Sequence, residues 1–576
     1  MDFFHSPLFI CRKYGNIKLI CGKIDSGEIH SDIAYIMEGV ILIKNVRMET
    51  EMGYVKKLYI GGFKRFTHFE IEFNERLSIL VGENEAGKST ILEAIRIVLN
   101  QQYWNADKSI LQDFFNLENV YLFKDNPSVT TLPKILIELD LELDDSPRFI
   151  DFYGENHVNG LLHEEKHGIR FECKFDEDFA DELADSINDG KIPYEYYVLT
   201  WQTYANLPYK AAKRPIKNLF IDTSETSKSS AFNHFNRTLF SNIYDNNTKV
   251  KAKNVFRERL NESFYSVNLP KIDDRRSFGI DNKKVIMESV LSVYENDIPL
   301  ENKGSGMESL VKTQIAFSRE GDLDTILIEE PENHLCFTNL KQMLKQIMNH
   351  EDNSQIILTT HSNMIASRLN LGNVIWIAGS HFKSLKNVSD ETTDFFVKAD
   401  DNEFLQLLLS KKIILVEGAT EYLLLPKFYE QKTERNIEED GISIISCNGI
   451  SYKRYLEIAG ETDKKIAVIT DNDQLQNKID DAAAFNQEHV NQHVFMGSTL
   501  EDWTWEACVY NCNREKLDNM IQIQAGAKYL FHGDNYGQVL GKMLANKVDT
   551  AYQMLTSGEN FTIPQYVEDA IEWLNE

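Results

Sequence analysis

The sequence predicts an α/β protein of several structural units, and three observations carry that expectation. A strand-like run, Leu77, Ile79 and Val81, leads straight into Gly82-Glu83-Asn84-Glu85-Ala86-Gly87-Lys88-Ser89, after which Ile91, Leu92, Ile95, Val98 and Leu99 recur at helical spacing. Two later apolar runs end in Glu329-Glu330 and in Thr360-His361. Further on, Ile413 to Val416, Ile442 to Ser446 and Ile466 to Thr470 are short β-branched runs separated by helical stretches, the alternation of a parallel sheet.

At 576 residues the chain is longer than one hydrophobic core serves, so three or four units are expected. With 42% hydrophobic and 26% charged residues it has an ordinary globular composition. No apolar stretch approaches membrane-spanning length, and the N-terminus lacks a basic segment followed by an apolar one, so the cytoplasm is the expected location and no membrane partner is expected. Seven scattered cysteines fit reduced thiols better than a disulfide framework. Cys508 and Cys512 can share a helix face, but without a second pair they make a poor zinc site. A net charge of −28 argues against a general nucleic-acid coat. Basic clusters at Lys210, Lys213, Arg214 and Lys217, at Lys251, Lys253, Arg257 and Arg259, and at Lys271, Arg275 and Arg276 still leave room for DNA.

Residues 1–52 carry alternations such as Ile41-Leu42-Ile43 but no motif, and form an N-terminal extension of no assigned role. From Val55, period-two runs at Leu58 and Ile60, at Phe69, Ile71 and Phe73, and at Leu77, Ile79 and Val81 read as three strands. Ile135 to Leu143 alternates as a fourth. Segments 53–147 and 291–395 are expected to form one domain. Between them, 148–290 reads as a largely helical insertion for dimer or DNA contacts. Ser380 to Asn402 reads as a connection, and 396–576 as a second domain with a helical tail.

The glycine loop has the spacing that lets successive backbone N–H groups wrap phosphates at a helix N-terminus. Lys88 would reach the terminal phosphates of ATP, the Ser89 hydroxyl would ligate Mg²⁺, and Gly82, Asn84, Gly87 and Thr90 complete the candidate contacts. Glu329 would hold the Mg²⁺ shell and Glu330 would polarise the attacking water. His361, at the next strand end, is placed to contact the γ-phosphate.

Lys303-Gly304-Ser305-Gly306-Met307-Glu308 resembles the signature loop of ABC-type ATPases. That resemblance implies that Ser305 and Gly306 cap the γ-phosphate bound by another subunit, and hence a dimer. The order of glycine loop, long insertion, signature-like loop, acidic strand end and histidine strand end is similar to the ABC-type heads of the RecF and SMC class. Lys57-Leu58-Tyr59-Ile60 and Gly62-Phe63-Lys64-Arg65-Phe66 resemble the opening of those proteins.

In the second domain, Val416-Glu417-Gly418-Ala419-Thr420-Glu421 ends a strand in a glutamate and starts a helix, with Glu417 and Glu421 one turn apart. Asp471 and Asp473 are two apart, so extended backbone would send both carboxylates to one face, and neighbouring strands would bring the acids together. A glutamate after one strand and Asp-x-Asp after another resembles the Toprim pattern. The whole arrangement resembles the OLD family of nucleases over residues 53–550. By that resemblance two metals are implied, Glu417, Asp471 and Asp473 forming the first site and Glu421 and Glu501 helping to form the second. By the same resemblance a late lysine would steady the transition state, with Lys542 the first candidate and Lys547 the other. The resemblance implies an ATP-regulated, Mg²⁺- or Mn²⁺-dependent DNA endonuclease, a homodimer or higher oligomer. It also implies bacterial anti-phage defence, with a further defence protein or nucleic acid as partner. An SMC- or RecF-like DNA clamp and a Toprim strand-transfer protein are the alternatives.

Overall fold

The computed structural model describes residues 53–576 apart from 104–105, 157–164, 183–189, 223–229, 268, 282, 319–322, 351–353, 399–402, 448–450, 463, 525 and 527. Before residue 53 it describes three short antiparallel strands, Ile20–Cys21, Asp32–Met37 and Val40–Asn45; the remainder of the 1–52 extension lies outside the described residues.

The three runs from Val55 onward form β1 (Tyr54–Phe63), β2 (Phe66–Glu72) and β3 (Leu77–Gly82), the last feeding α1 (Lys88–Asn100) through the glycine loop. The long alternation gives β4 (Ile135–Glu142). The stretch 148–290 departs from expectation, because it supplies β5 (Glu165–Phe175), β6 (Tyr197–Thr203) and β7 (Asn218–Asp222) before its two helices, α2 (Ser230–Ile243) and α3 (Asn246–Ser266). It is therefore largely helical only beyond residue 229.

The physical reason lies on the back of the sheet. Ile169, Phe171 and Cys173 are fully buried on one face, while Arg170 on the other is just as buried and ion-paired to Glu138 at 2.6 Å. A charged residue at an inward position hides the alternation that marks a half-buried strand.

An antiparallel sheet of order β6-β5-β4-β1-β2 covers one side of a second sheet. The second sheet adds β8 (Thr325–Glu329), β9 (Gln355–Thr359), β10 (Val374–Ala378) and β11 (His381–Ser384) in the order β7-β8-β9-β3-β10-β11, parallel except for β11. The Trp201 indole N–H and the Tyr209 hydroxyl donate to the Ile97 and Leu99 carbonyls of α1, fixing that helix between the sheets.

Gln355, fully buried on β9, closes the joint. Its amide N–H₂ donates to the Val55 and Asn74 carbonyls at 2.8 and 3.0 Å, and its oxygen accepts from the Val55 N–H at 3.0 Å and the Thr325 hydroxyl at 3.3 Å. Gln355→Leu strands three buried backbone groups, and we expect a loss of about 3 kcal/mol in urea unfolding, without a change in slope.

The segment 380–402, read as a connection, contains β11 and α5 below. α4 (Asn363–Arg368) follows β9, α5 (Asp390–Lys398) buries Thr392, Thr393 and Phe396, and α6 (Phe404–Leu409) leads to the last sheet. That sheet comprises β12 (Lys412–Val416), β13 (Ile442–Ser446), β14 (Lys465–Ile469) and β15 (Gln492–Phe495), all parallel, in the order β13-β12-β14-β15.

Residues of β12 alternate between two cores. Ile413 and Leu415 join a cluster that also contains Ile326, Leu358, Phe396 and Phe404, so it runs unbroken from the second sheet into the third. Ile414 and Val416 join another cluster under the C-terminal helices α7 (Ala419–Thr433), α8 (Trp505–Met520), α9 (Gln538–Ala545), α10 (Lys547–Thr556) and α11 (Gln565–Asn575). Among the described residues no helix is long and apolar enough to cross a membrane.

Candidate functional site

The glycine loop lies between β3 and α1 and borders a cavity of about 530 Å³. Gly87 has φ 96°, and a Cβ there would sit 2.3 Å from the Phe66 ring, so only glycine fits. At Gly82 a Cβ would stand 2.9 Å from the Ile377 carbonyl. Asn84, Gly87, Lys88, Ser89 and Thr90 all line the cavity.

The Lys88 ammonium is buried and donates to the Gly82 and Glu83 carbonyls at 3.0 and 3.2 Å. Burial lowers its pKa despite the acids Glu330, Glu332 and Glu329 nearby. Glu329 ends β8; burial raises its carboxyl pKa, and a hydrogen bond from Ser89 opposes that rise. The two proposed Mg²⁺-shell residues are thus in contact.

Glu330 follows in a left-handed conformation, φ 42°, and its N–H donates to the Thr359 carbonyl at 3.1 Å. Its carboxylate accepts from the Asn333 amide at 3.0 Å and lies 3.1 Å from His361 Nε2, so both side chains border the cavity together.

Sequence reasoning gave no role to Glu332, whose Oε1 accepts from the Thr360 hydroxyl at 2.7 Å and the His361 N–H at 2.6 Å and so sets the histidine loop. Lys64 and Arg65, at the β1–β2 turn, also line the cavity. Gly306 lies at the start of the helix Ser305–Phe317, where a Cβ would meet the His334 carbonyl at 2.2 Å. The signature-like loop therefore packs on the turn after the acidic pair, and among the described residues it does not line the Lys88 cavity. The Ser305 side chain lies outside the described residues.

The carboxylates of the last sheet meet at its topological switch. The chain leaves β12 for β13 on one side and returns to β14 on the other, so the ends of β12 and β14 open a crevice. Val416 pairs in register with Ile469. Glu417 Oε2 accordingly accepts from the Thr470 hydroxyl at 3.2 Å and the Asp471 N–H at 3.4 Å.

Asp471 Oδ1 accepts from the Trp505 N–H at 2.9 Å. Burial, then the charge of Glu417, pushes its carboxyl up to about 7. Glu421, in the first turn of α7, is likewise pushed up to about 7 by burial and by Asp471, Glu506 and Glu417. Two carboxyls raised in this way by burial and by neighbouring acids are groups whose charged form a divalent cation would stabilise.

Three sequence expectations are corrected. Asp473 is not on extended backbone: φ is 52°, its N–H donates to the Trp503 carbonyl at 3.1 Å, and its carboxylate pairs with Lys478. Glu501 is exposed on a turn, where its carbonyl accepts from the Asn511 amide at 3.4 Å. The buried acid that joins them is Glu506, five residues on, which accepts from the Thr504 hydroxyl at 2.8 Å. Lys542 donates to the Gln522 carbonyl at 2.7 Å, whereas Lys547 lies 2.9 Å from Glu506. Burial lowers the Lys547 pKa, but Glu506, Asp471 and Glu421 outweigh it and the net shift is upward. The family resemblance alone put Glu501 in the second site, whereas Glu506, buried in the first turn of α8, is an acid whose charge acts on Asp471 and Glu421.

Among the described residues no three His, Cys, Asp or Glu side chains stand ready to ligate one ion. The donor set still suits Mg²⁺ or Mn²⁺, which take oxygen ligands and complete their shells with water and substrate phosphate around one or two carboxylates. Cys508 is buried and its thiol donates to the Asp502 carbonyl, while Cys512 is exposed.

Comparison with known proteins agrees with both halves. The family model described as "AAA ATPase domain" matches residues 54–271 and 210–366, and the model "Overcoming lysogenization defect protein-like, TOPRIM domain" matches 408–473. An ATP/GTP phosphatase of Helicobacter pylori is 22% identical over 335 residues, covering 54% of this chain and 85% of that protein. The DNA replication and repair protein RecF of Clostridium acetobutylicum is 45% identical over 42 residues, covering 7% of this chain and 12% of its own. Of solved structures, the SMC head domain from Thermotoga maritima aligns at 16% identity and a TM-score of 0.28, covering 57% of this chain and 97% of that one. The C-terminal region of the Burkholderia pseudomallei OLD protein aligns at 16% and 0.21, covering 29% and 97%. The chain belongs to the AAA ATPase domain family and carries, behind that domain, a Toprim domain of the overcoming-lysogenization-defect type.

Proposed function

We propose that this protein is an ATP-regulated, divalent-metal-dependent DNA endonuclease that works as a homodimer or higher oligomer in bacterial anti-phage defence. The observation that carries the reading is the in-register pairing of β12 with β14, which sets Glu417 against Asp471 and gathers Glu421, Glu506 and Lys547 around them. The relatives named for DNA replication and repair support DNA as the substrate class.

When bound, Mg²⁺ or Mn²⁺ would supply a hydroxide nucleophile and neutralise the leaving oxygen of an in-line displacement. Glu417 and Asp471, with Glu421 and Glu506 behind them, would hold two such ions. Asp473 would join them on leaving Lys478. Lys547 would offer its ammonium to a non-bridging phosphate oxygen. In the ATPase half, Lys88 and Ser89 would hold the phosphates and their single Mg²⁺ with Glu329, and Glu330 would accept the proton of the attacking water.

The test is cleavage of supercoiled plasmid in Mg²⁺ or Mn²⁺. Wild type should nick or linearise it. Lys547→Ala should slow cutting by about 10²-fold or more, while Lys542→Ala should stay near wild type. Relaxed closed circles would point instead to strand transfer, and untouched DNA to a clamp.

A further inference from the structure

Beside the Toprim carboxylates lies a cluster of three aromatic rings that the chemistry above does not use. Between α8 and α9 the chain makes a tight hairpin in which Phe531 and Asp534 exchange backbone hydrogen bonds at 3.1 and 3.0 Å. The two turn residues, His532 and Gly533, both have positive φ, 51° and 93°, the geometry of a two-residue hairpin turn. This hairpin sets the Phe531 ring 5.9 Å from Trp503, and Tyr536 flanks the same indole at 5.2 Å. All three rings are half-buried, whereas Trp505, two residues on, is fully packed in the core. Large rings that keep a solvent-facing portion next to a charged cleft are suited to bind a flat ligand.

The cluster is tied to the acids by short links. The Trp503 carbonyl receives the Asp473 N–H, and the Trp505 N–H holds Asp471. Lys547, the cation paired with Glu506, lies 6.0 Å from the centre of the Phe531 ring. A strand whose phosphodiester rested at Asp471 and Lys547 would therefore carry a neighbouring base past Trp503.

We propose that Trp503, flanked by Phe531 and Tyr536, is a stacking site for an unpaired nucleobase of the strand being cut. Every base has a π-face, so such a site grips single-stranded or locally opened DNA without reading sequence, and a paired base must leave the helix to reach it. The inference rests on the nuclease reading and names the form of DNA that its site takes.

The test is binding by the full chain in EDTA, where cleavage plays no part. A fluorescein-labelled oligothymidylate should bind Trp503→Ala about tenfold more weakly than wild type, and Trp503→Phe should recover most of the loss. Wild type should bind a strand with abasic sites about tenfold more weakly than the thymidylate strand, and Trp503→Ala should not distinguish the two. Equal affinity of wild type for both strands overturns the proposal even if the variants fail to fold, and so does thymidylate affinity unchanged by Trp503→Ala. Plasmid cleavage by wild type in Mg²⁺ is read separately, so stacking without cutting would sink the nuclease reading alone.

Discussion

Asp471→Ala should reduce plasmid cleavage by about 10³-fold or more in Mg²⁺ or Mn²⁺ while leaving ATP hydrolysis within about twofold of wild type. Asp471 lies just beyond β14, its backbone N–H donating to Glu417 and one carboxylate oxygen accepting from the Trp505 N–H. Removing it would take away one of the oxygens proposed to hold the metal. The fold should tolerate the change, because Asp471 is a part-buried acid crowded by Glu417 and Glu506, and its loss relieves repulsion on Glu421. An agarose-gel time course beside a phosphate-release assay separates the two activities. Cutting at the wild-type rate would remove the Toprim cluster from the reaction.

Glu330→Gln should lower ATP hydrolysis by about 10²- to 10⁴-fold with nucleotide binding retained. The carboxylate is fixed by Asn333 and lies against His361 at the cavity wall, and its backbone is anchored to Thr359. An amide of the same shape keeps the packing but cannot accept a proton. Phosphate release and titration with a fluorescent ATP analogue measure the two quantities. Undiminished hydrolysis would exclude Glu330 as the base; Glu332, already occupied by Thr360 and His361, is a poor substitute. Plasmid cutting by this variant with and without ATP also gives the sign of coupling between the two halves.

The parts of the fold that were legible from sequence are those where one period and one motif coincide. Leu77 to Ser89 is an apolar strand followed by a glycine loop, and each glycine has a neighbour too close for a side chain, so local chemistry dictates the geometry. Glu417 and Asp471 were legible because each directly follows a buried β-branched run. What could not be read was set by distant partners. Arg170 disguised β5 because its counter-ion, Glu138, is 32 residues away in sequence. Glu506 lies inside a helix with no motif, and only the fold brings it to Lys547, 41 residues on. Asp473 left its expected face because the Asn472 amide is gripped by the Gly497, Thr499 and Asp502 carbonyls, which bends the chain into a turn there.

The uninterrupted core beneath the second and third sheets has an evolutionary corollary. Two residues beyond His361, the Asn363 side chain accepts the Leu405 N–H at 2.9 Å, and Phe404, Leu405, Leu407 and Leu408 fill the space that follows. An exchange of the tail for that of another lineage must bring matching side chains at this seam. The two halves are thus bound to drift as a pair, each constraining which substitutions the other can accept.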